Sequence, residues 1–386
     1  MRKKIIIYLT AVLLVLFSFS SFAAIEVGQV PQDVDDEYIS NPENLRVSEW
    51  VTDLEIPWQL VFLPESNRAL VTERKGVVRL IDDGKLQSEP YFEPDLFAPG
   101  EGGLMGMAHH PEFPKEPYIY IMYTYQGQNA MVYNKVTRIT DNGKNGSNEE
   151  IIIAQIPGGR VHDGGRIAFG PDDKLYISTG DTWNRSVAQK MDNLGGKILR
   201  LNPDGSIPLD NPYENSYIYS LGHRNPQGLD WHPETKQLFI SEHGPSGEEG
   251  LRGRDRIMVI KSGGNYGWPN SIGYFEDNEY ENPLIMWEEA TPPSGIAFYN
   301  NDLYVATLGS QSLIRIKLEH ISNYNYGVEQ IERLFATGSY DGKYGRLRDI
   351  IVGPDNNLYL LTSNLDGRGN PQPGDDKILK LEINVE

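Results

Sequence analysis

A short phrase returns six times along the chain: a turn set, usually Pro-Asp or Pro-Glu, leading into an alternating apolar strand. It reads Phe62-Leu63-Pro64-Glu65 into Ala69–Glu73, His110-Pro111-Glu112 into Tyr118–Ile121, and Gly170-Pro171-Asp172 into Leu175–Ser178. It continues as His232-Pro233-Glu234 into Leu238–Ser241, Tyr299-Asn300-Asn301 into Leu303–Thr307, and Gly353-Pro354-Asp355 into Leu358–Leu361. The Pro64, Pro111, Pro171, Pro233, Asn300 and Pro354 positions are 47, 60, 62, 67 and 54 residues apart. Proline followed by an acidic or amide residue sets a turn, and a β-branched or aromatic run fits a pleated surface. A unit of this length, repeated six times, predicts radial β repetition: an all-β, six-bladed β-propeller. A two-sheet sandwich with extra strands is the alternative. A propeller places its chemistry at one mouth of the central channel.

The first residues follow other rules. Arg2, Lys3 and Lys4 precede the apolar run Ile5–Phe17 and a small-residue Ser21-Phe22-Ala23 site, the pattern of a cleaved secretory signal peptide over residues 1–23. Export to the periplasm or medium is therefore expected, with no membrane insertion of the mature chain. Residues 24–45, rich in Asp, Glu, Pro and Asn, read as a flexible leader without a core pattern. No linker or charge block interrupts residues 46–386, so one propeller domain is expected there. Removing a signal with three basic and no acidic residues takes the net charge from −19 to −22, which disfavours nucleic acid and anionic lipid as partners. The absence of cysteine excludes disulfides and thiol chemistry. Excess carboxylate in an exported chain is compatible with Ca²⁺, a hard cation that takes oxygen ligands.

Polar residues concentrate in four segments beside repeat strands. Gly100-Glu101-Gly102-Gly103 permits close backbone approach to a ligand. Val161-His162-Asp163-Gly164-Gly165-Arg166 enters the third repeat, and Gly180-Asp181 closes that hairpin. A loop histidine with a carboxylate at the neighbouring strand end has the makings of a general base, because the partner fixes its tautomer. Gly222-His223-Arg224-Asn225-Pro226-Gln227 and Ser241-Glu242-His243-Gly244-Pro245 form the densest segment, with Arg224 and Asn225 offering adjacent donors to an anionic or carbonyl ligand. In Gly345-Arg346-Leu347-Arg348-Asp349, strand alternation points Arg346 and Arg348 the same way. Two such guanidinium groups either bind an acidic ligand or pair with the protein's own Asp or Glu. Together these residues favour an oxidoreductase with a bound quinone or a carboxylate-binding hydrolase.

The same residues resemble the soluble PQQ-dependent aldose sugar dehydrogenases, relatives of soluble glucose dehydrogenase. The resemblance runs from Ile56-Pro57-Trp58 to Leu379. It rests on Gly-Glu-Gly-Gly-Leu at 100–104, His162 with Gly165-Arg166, Gly180-Asp181, and His-Arg-Asn-Pro-Gln-Gly at 223–228. Glu-His-Gly-Pro at 242–245, Gly-Gly-Asn-Tyr-Gly-Trp-Pro at 263–269 and Arg-Leu-Arg-Asp at 346–349 complete it. It implies a six-bladed propeller that oxidises aldose sugars at the anomeric carbon to lactones, passing a hydride to PQQ and then electrons to an external acceptor. It implies His162 as the base, Asp181 as its orienting carboxylate, and Arg224 with Asn225 at the quinone oxygens. Arg346 and Arg348 would hold PQQ carboxylates, and the carbonyls of Gly244 and Pro245 would ligate Ca²⁺.

Three positions depart from that pattern. Glu101 stands where the family usually has Gln at a cofactor contact, so it must be neutralised or cation-bound. A lysine near PQQ is replaced around Gly309-Ser310. A second Ca²⁺ site would map to Tyr266 and Glu276, with Glu281 nearby, but Arg256 occupies a ligand position and is expected to pair with Glu276. The competing classes are a Ca²⁺-dependent sugar lactonase of propeller fold and a non-catalytic propeller binding module.

Overall fold

The computed structural model describes residues 24–383 except 278, 370 and 373. The signal peptide expected over residues 1–23 lies outside the described residues. Six antiparallel sheets are arranged around a central channel, and among the described residues there is no α-helix. The first blade consists of Pro57–Phe62, Arg68–Glu73, Val77–Asp82 and Lys85–Phe92, innermost strand first. The next five blades begin with inner strands Leu104–His109, Gly164–Phe169, Pro226–Trp231, Pro293–Tyr299 and Leu347–Val352. Successive inner strands touch one another, and Leu347–Val352 returns to Pro57–Phe62, closing the ring. Each repeated turn joins an inner strand to the second strand of its blade, so counting those turns counts the blades. No helix among the described residues is long and apolar enough to cross a membrane.

Burial follows from this geometry. Inner strands are flanked by neighbouring blades, so Pro57–Phe62 is buried at five of six positions, whereas the outer Lys85–Phe92 is largely exposed. Inner strands approach so closely that a side chain is excluded at some points. A Cβ on Gly106 would lie 2.3 Å from the Gly165 carbonyl, and one on Gly295 would lie 1.9 Å from Asp349 Oδ1. A bulge or register shift occurs near the start of every inner strand, at Pro57/Gln59, Leu104/Met107, Gly164/Ile167, Pro226/Gly228, Pro293/Ile296 and Leu347/Asp349. A bulge re-aims the extra residue out of strict alternation. Here it turns Trp58, Met105, Gln227 and Arg348 into one cavity at the channel mouth.

The ring is closed across the chain ends. Leu45–Val51 pairs antiparallel with Ile378–Ile383 as the outer strand of the sixth blade. The segment expected as a flexible leader is instead built into the fold. Asp36–Ile39 adds a parallel fifth strand to Asn325–Leu334, and Glu26–Val27 pairs with Ser271–Ile272. Ile25 is buried against Trp268, Ile272 and Met286. Backbone pairing at a sheet edge plus the Asp36–Arg333 ion pair does not require an apolar period, which explains why no core pattern marks this segment.

Buried carboxyls make the fold's stability pH-dependent. Burial pushes Asp230 and Asp255 up to about 6 and Asp163 to about 7, despite the N–H donors each accepts. Burial also acts to raise Glu242, but the Arg256 charge, His223 and the Arg224 N–H outweigh it and hold it at about 2. The three aspartates retain protons in the folded state that the unfolded chain has lost, so stability falls as pH rises from about 4 through 7. Glu242 acts oppositely, and its contribution is lost as pH falls from about 4.5 toward 2. Taken alone, these four groups put the stability maximum near pH 4, and Asp230→Asn should lose less of its thermal midpoint than the parent between about pH 4 and 7. An Asp230→Asn profile parallel to the parent's in a calorimetric pH series would contradict that protonation state.

Candidate active site

The site lies where inner strands begin and second strands end, opposite the repeated turns. The same backbone bond recurs there around the ring: Arg74 N–H to Ile56, Thr182 to His162, His243 to Asn225, Leu308 to Pro292 and Ser363 to Arg346. The residues at these joints therefore face one mouth.

His162 sits on the loop entering the third blade with φ of +58°, a left-handed conformation that is unusual for a side-chain-bearing residue. The surroundings enforce it. Its N–H donates to Glu101 Oε2 at 3.2 Å and its carbonyl accepts from Thr182 N–H at 3.2 Å. Gly180 opposite leaves the necessary space, since a Cβ there would lie 1.9 Å from the His162 carbonyl oxygen. His162 Nδ1 lies 2.8 Å from Asp181 Oδ1. That oxygen also accepts the Trp183 N–H at 2.9 Å, while Oδ2 accepts Trp268 Nε1–H at 2.8 Å. A carboxylate only accepts, so Nδ1 carries the proton and Nε2 keeps its lone pair. Among the described residues Nε2 has no protein partner. The exposed Trp183 ring lies 5.1 Å from the imidazole. The pair expected from the sequence is thus formed, with a free basic nitrogen beside an open face.

Next to it lies a cavity of about 300 Å³, lined by Val161 and Asp163 on either side of His162 and by His243 and Gln227 from the fourth blade. Five arginines reach it: Arg74, Arg160, Arg346, Arg348 and Arg368; its carboxyls are Glu101, Asp163 and Asp366. In a chain of net charge −19 this lining is locally cationic. Arg348 is fully buried: Nη1 donates to Gln227 Oε1 at 2.7 Å, and Nε has no partner among the described residues. Burial pulls its pKa down to about 9, against the attraction of Asp366. Its guanidinium carbon is 5.7 Å from the Trp58 ring. Arg346 differs, since Nε and Nη2 both bond Asp366 Oδ2, at 2.9 and 2.7 Å. The bulge at Arg348 breaks the alternation, so both line the cavity but their head groups find different partners. Arg346 pairs with a protein carboxylate; among the described residues Arg348 pairs with none.

Glu101 is cation-bound, its Oε1 pairing with Arg368. Arg224 and Asn225 are placed differently from the expectation. The Arg224 Nε donates to Glu248 at 2.8 Å, and Nη2 lies 2.7 Å from the same oxygen. Its guanidinium stacks 5.7 Å from Trp268, the ring that holds Asp181. Asn225 Oδ1 accepts the Gly164 N–H at 3.0 Å, and its amide lies 3.3 Å from His243 Nδ1. Both residues brace the cavity wall. His243 is kept neutral, chiefly by burial and then by Arg224 and Arg348.

Metal-ligand expectations fare unevenly. Gly244 and Pro245 are buried beside the site, with the Gly244 N–H donating to Asp255 at 2.9 Å. The second site is not assembled. Arg256 pairs at 3.0 Å with buried Glu242 rather than Glu276, because Glu242 also takes the Arg224 N–H and His223 and is the nearer deep charge. The Tyr266 hydroxyl is committed to the Val259 carbonyl, Glu281 pairs with Lys261, and Glu276 is exposed. Among the described residues no cluster of three His, Asp or Glu side chains suits a metal ion.

Sequence reasoning missed Arg74, Arg160, Arg368, Asp163 and Asp366. Arg74 carried a usable signal: it follows a second strand at the joint that His243 occupies in the fourth blade. Arg160, two residues before His162, carried a weaker one.

The site is thus a carboxylate-held histidine beside a cationic cavity at one mouth of a six-bladed propeller. Residues 54–372 match the family Glucose / Sorbosone dehydrogenase, and the chain belongs to that family. It is 32% identical over 357 residues to aldose sugar dehydrogenase YliI of Escherichia coli, covering 84% of this chain and 92% of that one. A Thermus thermophilus protein assigned as an oxidoreductase (glucose dehydrogenase) is 45% identical, with a TM-score of 0.81 over 88% of this chain and 100% of that one. The PQQ-bound aldose sugar dehydrogenase of Streptomyces coelicolor is 34% identical, with a TM-score of 0.76 over 88% and 99%.

Proposed function

We propose that this protein is an exported, PQQ- and Ca²⁺-dependent dehydrogenase that oxidises aldoses at the anomeric carbon to lactones and passes electrons to an external acceptor. The observation that carries the reading is the buried, carboxylate-free Arg348 with its unpartnered Nε, in a cavity beside the His162–Asp181 pair. A buried guanidinium without a counter-charge is costly, and an anionic ligand removes that cost. The donor set fits PQQ, whose carboxylates match the arginines and whose flat ring matches Trp58. Gly244 and Pro245 would supply carbonyl oxygens to Ca²⁺, which polarises a quinone as a Lewis acid. When bound, PQQ supplies a hydride acceptor.

The chain's own residues do the rest. His162 Nε2 takes the proton of the anomeric hydroxyl, and Asp181 holds the ring and stabilises the imidazolium that forms. Trp268 and the Trp183 N–H fix Asp181 in turn. Arg224 lies over the Trp268 ring, and Asn225 ties the His162 loop to His243. Export rests on the N-terminal basic and apolar pattern. Adding PQQ and Ca²⁺ to apo-protein should produce dye reduction with aldoses, and neither component alone should suffice. Folded protein that stays inactive with every common mono- and disaccharide would end the assignment.

Glu101 and Arg368 tune the cofactor. Glu101→Gln removes a negative charge and releases Arg368 toward the anion, so PQQ half-saturation should fall several-fold. Arg368→Gln should raise it. Titrating apo-protein with PQQ at fixed Ca²⁺ separates the two, and shifts of the same sign would contradict the pairing.

A further inference from the structure

The Asp163 carboxyl is a buried acid without a part in the scheme above. It is 3% exposed and lines the cavity. Its Oδ1 is engaged by Asn134 Nδ2 at 3.0 Å and the Gly159 N–H at 2.8 Å. Its Oδ2 is buried with no partner among the described residues. A bare carboxylate oxygen there is strongly disfavoured, whereas a protonated one is a hydrogen-bond donor awaiting an acceptor. We propose that Asp163 meets the cofactor as a neutral acid, its Oδ2–H donating to a carboxylate of bound PQQ and so coupling cofactor affinity to pH. This rests on the PQQ reading.

The charges around Asp163 support it. Glu101 packs from the glycine-rich loop, and its negative charge adds to burial in retaining the proton. Arg160 and His162 share its own loop, and His243 faces it from the fourth blade as a neutral ring. Arg346 and Arg348 face it from the sixth blade, Arg74 from the first, and the Asp366–Arg368 loop completes the wall. With Asp163 protonated, five arginines oppose two ionised carboxylates, an excess of three positive charges that favours an anionic ligand. Ionisation of Asp163 lowers that excess and sets a like charge against the anion. Its pKa of about 7 places this change near neutrality. The sign is therefore definite: the protonated form binds the anion better, binding takes up a proton above neutrality, and affinity falls as pH rises.

The test is calorimetric titration of apo-protein with PQQ at fixed Ca²⁺, at about pH 6 and about pH 8, in buffers of different ionisation enthalpy. The parent should bind roughly tenfold more weakly at the higher pH and take up close to one proton per PQQ. Asp163→Asn keeps a donor but cannot titrate, so its affinity should vary by less than about threefold with no proton uptake. Arg348 titrates above this window in both proteins. A parent that binds PQQ with no pH slope and no proton uptake overturns the proposal, as does a variant that keeps the parent's slope. Should the variant not fold, the same titration of His162→Gln decides: retained proton uptake there supports Asp163, and its loss assigns the proton to His162 and overturns the proposal. A parent that binds no PQQ at either pH defeats the cofactor reading itself, a distinguishable failure.

Discussion

His162→Ala is expected to lower turnover by a factor on the order of 10² to 10⁴, the usual worth of a positioned general base, while PQQ half-saturation stays within a few-fold of the parent. The geometry separates the two quantities. His162 reaches the open face through an unpartnered Nε2, whereas its flanking residues Val161 and Asp163 line the arginine-rich cavity. Asp181→Asn should be milder, because it disturbs the tautomer and ring position without removing the basic nitrogen. Steady-state kinetics at saturating PQQ distinguish them. Wild-type turnover in His162→Ala would place the base elsewhere. His243 would be the next candidate, although its Nε2 is buried.

The second large effect concerns Arg348. Charge-assisted pairs with a cofactor carboxylate form equally before and during the chemical step, so they set affinity rather than turnover. Each is worth about 1.5–3 kcal/mol, so Arg348→Ala should demand roughly tenfold to hundredfold more PQQ for half-saturation. Turnover at saturating PQQ should remain within a few-fold. The structure adds a contrast between the two arginines. Arg346→Ala strips Asp366 of its partner and leaves a buried carboxylate facing the anion, so it too should weaken PQQ, and apo-protein stability should fall with it. Arg348→Ala leaves no such orphan charge, since Gln227 and Ser294 are neutral. Its apo-protein should melt close to the parent. An unchanged PQQ midpoint in Arg348→Ala would show that this arginine serves the channel rather than the cofactor.

Much of this was legible in the chain because it is local. Pro-Asp turns are read from adjacent residues, and each one falls between an inner strand and its neighbour, so the blade count follows directly. His162 and Asp181 belong to one hairpin and met as expected. Contacts between distant segments were less legible. Glu101 and Arg368 lie 267 positions apart, and neither carries a local sign of the other. Arg256 found Glu242 rather than Glu276 because burial, unseen in sequence, decides which carboxylate most needs a cation. The residues after Ala24 are held by backbone pairing, the Asp36–Arg333 ion pair and apolar contacts at Ile25, Val30, Val34 and Ile39, whose spacing fits neither a strand nor a helix period. Arg346 and Arg348 were read as equivalent, and the bulge between them made one an ion-pair partner and the other a free donor.

The central claim is that the bond broken beside His162 is the anomeric C–H of an aldose, with the electrons leaving as hydride to bound PQQ. Single-turnover reduction of the PQQ-loaded, Ca²⁺-bound protein by glucose carrying deuterium only at C1 isolates that step. The account predicts slower reduction than with unlabelled glucose, no slowing when the deuterium is at C2 alone, and a lactone product that lacks the C1 label. Equal rates for the C1-labelled and unlabelled sugars, or a product that retains the C1 deuterium, would contradict it.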